Sequence, residues 1–186
     1  MMQGTTIHSP ACPCCSNLVA THFSRRHFLH AAAAMAPLAA GSTMASAAEG
    51  RYAAMLLTCI DPRLPELTIN YMKSRRMLGK YSQFSFAGAS IGVVAPAFKD
   101  WAKTFWDNLA ASIELHHIPK VIAIDHRDCG AARIAYGADK VATRQLETQT
   151  HRAALMEFRR QVGERHADLQ VETGLMGLDG KVESFS

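Results

Sequence analysis

Two short apolar runs, each emptying into a cysteine-bearing turn, limit this chain more than any other feature. Residues 52–58 read Tyr-Ala-Ala-Met-Leu-Leu-Thr and continue into Cys59-Ile60-Asp61-Pro62-Arg63. Residues 121–125 read Val-Ile-Ala-Ile-Asp and continue into His126-Arg127-Asp128-Cys129-Gly130. Both runs are too short for a buried helix, and the second is rich in β-branched side chains, so both predict strands. Continuous rather than alternating hydrophobicity marks strands buried on two faces, the pattern of a parallel sheet covered by helices.

The rest of the chain alternates in the same sense. Pro65 and Glu66 suit the first turn of a helix reaching about Lys73. Residues 82–86 predict a strand, which Gly88, Ser90 and Gly92 break into a flexible loop. Ala102, Phe105, Trp106, Leu109 and Ile113 give residues 101–118 the apolar face of a helix, stopped by Pro119. Residues 144–163 repeat that pattern with Leu155, Phe158 and Val162. Residues 169–173 and 181–185 predict the last strands, with Asp179-Gly180 as the turn between them. The expected fold class is α/β: a Rossmann-like, mostly parallel sheet flanked by helices, with a C-terminal strand hairpin. Sheets of this kind place their sites beyond the carboxyl ends of the strands.

Cys59 and Cys129 both fall at such ends. If the two strands are parallel neighbours, their exits converge. His126 and Cys129 then offer two ligands from one turn and Cys59 a third. Two thiolates and one imidazole favour zinc over magnesium or calcium, and this set leaves a fourth position for water. Asp61 either occupies that position or pairs with Arg63. Taken singly, a cysteine at a strand end is as readily a small core hydrophobe; the joint occurrence favours the metal.

The first 47 residues differ from the remainder. They contain no Lys, Asp or Glu, and their charged side chains are Arg25 and Arg26. The arginine pair precedes Phe28-Leu29 and an Ala-rich apolar stretch, and Ala45-Ser46-Ala47 then gives a small-x-small cleavage pattern. That order predicts a twin-arginine export signal at 1–47 and a single zinc-binding α/β catalytic domain at 48–186. The apolar stretch holds Pro37 and falls short of the ~20 residues a membrane span needs; a buried Ala-rich helix is the alternative. Cleavage removes two arginines and no acid, so the formal charge of +4 falls by two. Of the five cysteines, Cys12, Cys14 and Cys15 would leave with the signal. A thiol cluster there could bind soft metals or exchange disulfides, or have no role in the mature protein. The expected location is periplasmic or otherwise exported, with the twin-arginine machinery as a partner.

Cys59-x-Asp61-x-Arg63 followed by His126-x-x-Cys129-Gly130 resembles the β-class carbonic anhydrases in both patterns, their order and their separation. The resemblance covers most of residues 50–186, including Thr173-Gly174 and the closing hairpin. It implies zinc held by Cys59, His126 and Cys129, with an Asp61–Arg63 pair beside it. In the open form that pair keeps Asp61 off the metal; in the closed form Asp61 is the fourth ligand. It also implies tight homodimers, with active sites near the interface.

The reaction implied is reversible hydration of carbon dioxide to bicarbonate, by attack of zinc-bound hydroxide. Asp61 would take the hydroxide's hydrogen bond and Arg63 would hold Asp61. His116, His117 and Asp128 are candidates for proton relay, although the two histidines close a helix, where a positive charge is favourable anyway. The chain departs from the family in carrying Phe86-Ala87-Gly88-Ala89 where members usually have Arg-Asn-Ala-Gly. It also has only a short segment ahead of Cys59. A more apolar mouth is expected, which suits carbon dioxide and equally carbonyl sulfide or carbon disulfide. A non-catalytic zinc-binding relative with a partner-binding groove is the remaining alternative.

Other classes are disfavoured. The Gly88–Gly92 spacing lacks the fingerprint and following lysine of a phosphate loop. Arg159, Arg160 and Arg165 read as a solvated helix face, and no interleaving of basic and aromatic residues suggests nucleic acid.

Overall fold

The computed structural model describes residues 50–186, along which strands and helices alternate. The strands are β1 (Ala54–Thr58), β2 (Tyr81–Ser85), β3 (Lys120–His126), β4 (Gln170–Met176) and β5 (Val182–Phe185). The helices are α1 (Leu64–Ser74), α2 (Ser90–Val94), α3 (Lys99–His116), α4 (Gly130–Tyr136) and α5 (Arg144–Arg165). The sheet order is β2-β1-β3-β4-β5. The first four strands are parallel and β5 runs antiparallel to β4.

This order positions the site. The chain steps from β1 outward to β2, then returns to lay β3 on the other side of β1. The crevice at the carboxyl ends of β1 and β3 is therefore the topological switch point, where open α/β sheets bind ligands. β1 is buried along its whole length and β3 from Val121 onward, as their unbroken apolar sequences require.

Both faces of the sheet are covered. Successive residues on a strand point to opposite faces. On β4, Glu172 takes a hydrogen bond from Arg75 at the end of α1, and its neighbour Thr173 takes one from Arg159 of α5. α1 and α5 thus lie on opposite sides. Phe105 of α3 and Phe158 of α5 are fully buried and meet with ring centroids 5.4 Å apart.

Two sequence expectations need correction. The predicted flexible loop at Gly88, Ser90 and Gly92 contains α2, whose residues Ser90–Val93 are buried. Gly92 serves there as a point of close approach rather than a breaker: a Cβ on it would stand 2.3 Å from the Ala87 carbonyl oxygen. β4 also runs to Met176 rather than ending at Thr173, because it pairs with β3 through His126↔Met176. The export signal expected at 1–47, with Arg25, Arg26, Cys12, Cys14 and Cys15, lies outside the described residues. Among the described residues, no helix is long and apolar enough to cross a membrane.

Candidate metal centre

β1 and β3 are hydrogen-bonded parallel neighbours, with Thr58 opposite Ile124, so their exits converge. Cys59 follows β1 directly, His126 is the last residue of β3, and Cys129 caps α4. Between His126 and Cys129 the chain turns sharply at Asp128, whose φ is +57°. One ligand atom from each of Cys59, His126 and Cys129 lies within 4.8 Å of the others, and all three residues are buried.

The imidazole is oriented for a ligand. Its Nδ1 lies 2.9 Å from the Arg127 carbonyl oxygen, which can only accept, so Nδ1 carries the hydrogen. Nε2 is left with a free lone pair, and it is buried with no hydrogen-bond partner. A backbone acceptor on one ring nitrogen and a bare second nitrogen is the usual preparation of a metal-binding histidine. The two sulfurs supply the soft donors that zinc accepts. The residues therefore fit a zinc ion.

The sulfurs also bias one another. A hydrogen bond from Cys129 lowers the Cys59 pKa against the penalty of burial, with further help from His126 and from the Gly88 amide, 3.2 Å from Cys59 Sγ. Cys129 is pushed up, first by its hydrogen bond to Cys59 and then by burial. For His126, burial is the largest single influence and works against the charged form, but the nearby Cys59 sulfur, the Arg127 carbonyl and the Asp61 charge together outweigh it and raise the pKa. A dication between the sulfurs would ionise both.

Asp61 stands beside this group, with Oδ2 4.0 Å from His126 Nε2. Arg63 grips the carboxylate twice, Nε on Oδ1 at 2.9 Å and an outer nitrogen on Oδ2 at 2.7 Å, and its backbone N–H adds a third bond. These hydrogen bonds hold the Asp61 carboxyl well below the usual carboxylate range. The second outer nitrogen reaches the Asp128 side chain at 2.7 Å and the first also bonds the Asp128 carbonyl at 3.1 Å, so Arg63 ties the β1 exit to the β3 exit.

The proton-relay candidates separate. Asp128 is in this network. His116 and His117 are not: they end α3, ahead of the amino end of β3, and the Tyr52 N–H just before β1 bonds the His116 carbonyl. The length of β3, ~20 Å at about 3.3 Å per residue, separates them from the centre. His117 adopts a left-handed cap with φ +47° and His116 packs on the Tyr52 ring, so both have structural roles.

Several residues of the neighbourhood have no sequence signature. Arg127 is nearly buried and bonds Glu147 and Thr148 of α5 and Glu183 of β5. Glu147 in turn accepts the Asp128 N–H. Beside the β1 and β2 exits, an open cavity of about 340 Å³ is lined by Ile60, Ser85, Phe86, Ala87, Asp100, Trp101 and Thr104. Phe86 packs edge-on against Trp101, which stacks on Phe98 at 4.3 Å. Aromatic packing thus stands where the resemblance leads one to expect arginine and asparagine.

Comparison with known proteins fits this geometry. No protein-family model matches the chain. An uncharacterized protein of Rickettsia conorii is 36% identical over 131 residues, 70% of each chain. The chain belongs to that protein's family. Among solved structures, the β-carbonic anhydrase CcaA matches with a TM-score of 0.54 at 12% identity, over 74% of this chain and 81% of that one. The β-carbonic anhydrase CafA of Aspergillus fumigatus matches with a TM-score of 0.50 at 14% identity, over 74% and 76%. At such identities the likeness is one of fold: this chain has a β-carbonic-anhydrase-like fold, with a Cys-His-Cys cluster able to hold a metal ion.

Proposed function

We propose that the centre at the carboxyl ends of β1 and β3 is a zinc site that catalyses reversible hydration of carbon dioxide to bicarbonate. One observation carries this reading: a buried His126 Nε2 without a partner, grouped with two buried sulfurs, beside a carboxylate already engaged by Arg63. Zinc at Cys59, His126 and Cys129 would supply Lewis acidity, making hydroxide available near neutral pH.

The chain's own residues do the rest. Asp61 stays ionised and can only accept hydrogen bonds, so it orients a hydroxyl nucleophile by accepting its hydrogen bond. Arg63 fixes the direction of that carboxylate. The open cavity lined by Ile60, Phe86 and Trp101 offers a small apolar substrate an apolar surface beside the β1 exit. The same cavity favours carbonyl sulfide or carbon disulfide hydrolysis as a second reading, since it offers no cation to select oxygen over sulfur.

Two further parts of the proposal concern assembly and location. β2 is an edge strand of the sheet, and the neighbouring Ile60 and Trp101 are exposed, which supports a homodimer contact on this side. Residues 1–47 are proposed as a twin-arginine export signal, on the arginine pair and the Ala45-Ser46-Ala47 pattern, which would make the mature protein periplasmic or otherwise exported.

The test is stopped-flow hydration of carbon dioxide by the zinc-loaded protein, with carbonyl sulfide hydrolysis measured in parallel. The expected result is zinc-dependent hydration that falls about 100-fold in Asp61→Asn. Activity confined to carbonyl sulfide selects the second reading. Zinc bound with no turnover of either substrate refutes catalysis and leaves a zinc-dependent binding role.

A further inference from the structure

On the other face of β3 lies a polar cluster that the proposed reaction does not use. Ser90 of α2, Asp125 of β3 and His151 of α5 are all 0% exposed. The Ser90 N–H donates to Asp125 Oδ1 at 3.0 Å and its hydroxyl to Oδ2 at 2.9 Å. His151 Nδ1 lies 2.9 Å from Oδ2 and donates to it. A carboxylate buried this deeply is costly unless paired and bonded, and all its partners come from other elements. The serine bonds the carboxylate rather than the imidazole, so the trio lacks the nucleophile–base contact of a hydrolytic triad.

The cluster holds a strained turn. Gly88 has φ +81°, and Ala89 has φ +49° with ψ −115°, a sparsely populated region for an L-residue. A Cβ on Gly88 would stand 2.9 Å from that of Ala131, so the turn is also tightly packed. Such conformations persist only where their surroundings over-determine them. One end is fastened by the Phe86 N–H on the Thr58 carbonyl at 2.9 Å, the other by Ser90 on Asp125. Between these anchors the Gly88 N–H reaches Cys59 Sγ.

We propose that Asp125 is a positioning residue for the metal centre: through Ser90 it holds the Gly88–Ala89 turn so that the Gly88 amide stays on Cys59 Sγ. An amide hydrogen bond withdraws charge from a thiolate, making it a weaker donor and leaving a bound ion the stronger Lewis acid. The consequence for the metal rests on Cys59 being a ligand; the position of the amide does not.

The experiment uses the full-length, nitrogen-15-labelled chain, metal-free for NMR and cobalt(II)-loaded for absorption. Cys59→Ala sets the Gly88 amide shift for complete loss of the bond. Asp125→Asn is expected to move that resonance at least halfway to the Cys59→Ala position and to speed its hydrogen exchange about tenfold. It should also shift the sulfur-to-cobalt charge-transfer band. A purely structural Asp125 would lower thermal stability while leaving amide and band in place, and that result overturns the proposal. Should Asp125→Asn fail to fold, Ser90→Ala decides: a smaller movement in the same direction supports it, and an unmoved Gly88 amide refutes it. If the wild-type chain takes up no cobalt, the metal reading fails, while the amide measurement still judges the positioning role.

Discussion

His126 at the end of β3 and His151 on α5 are both buried imidazoles, yet they lead to opposite chemistry. Each donates from Nδ1 to an oxygen, His126 to a carbonyl and His151 to the Asp125 carboxylate. Each keeps a buried Nε2 without a partner. What differs is the company. His126 groups with two cysteines, and among the described residues that trio alone forms a potential metal-binding cluster. His151 is committed to a neighbouring carboxylate with no sulfur in reach. Asp125 and His126 are consecutive, so the pleat of β3 sends one side chain to a closed structural network and the next to an open coordination site.

The largest expected effect breaks the site without touching the network. Cys129→Ala removes one of three donors, and zinc measured by atomic absorption should fall from about one per chain to near zero. The reverse substitution should do the reverse. His151→Ala removes one of three hydrogen bonds to a buried carboxylate and should cost about 1.5–3 kcal/mol in urea unfolding, while the folded fraction still takes up zinc. Zinc retained in Cys129→Ala, or lost from well-folded His151→Ala, would erase the distinction between the two histidines.

Arg63→Gln probes the rim of the open site. The folded pKa of Asp61 lies below its unfolded value of about 3.9. Its pairing therefore contributes stability that is present above about pH 4 and lost as pH falls through the lowered folded value. Without Arg63 the folded pKa returns toward the ordinary range. The stability gap between wild type and variant should then shrink below about pH 4, and it should be small and salt-sensitive because the guanidinium is 43% exposed. Carboxyl carbon-13 titration of Asp61 checks the shift directly. The smallest effect is expected from Thr143→Ala. Thr143 caps α5 by accepting the Leu146 N–H, and its loss should cost about 1 kcal/mol while leaving zinc content unchanged.

How much of this was readable in the sequence follows from the range of the contacts involved. Unbroken apolar runs identified β1 and β3 as central strands, and their abrupt ends at Cys59 and His126 placed the ligands at one edge of the sheet. The Asp61–Arg63 pair is two residues apart and was visible as an alternative partner. The extent of β4 was not, because its last three residues are strand through pairing with both β3 and β5. α2 was hidden because Ser90 and Gly92 have poor helix propensity, and packing against Ala87 and Phe86 overrides it. The Ser90–Asp125–His151 network joins residues 26 and 35 positions apart, and no local periodicity encodes such a contact. His116 and His117 misled for the opposite reason: their side-chain chemistry suited a relay, but the topology put them at the far end of the sheet.

The central claim is that the exits of β1 and β3 assemble one zinc site from Cys59, His126 and Cys129. X-ray absorption at the zinc edge of the purified full-length protein tests it most directly. The account predicts about two sulfurs at about 2.3 Å and light-atom scatterers near 2.0 Å, including one imidazole. A chain that binds no zinc, or binds it through nitrogen and oxygen alone, would contradict it.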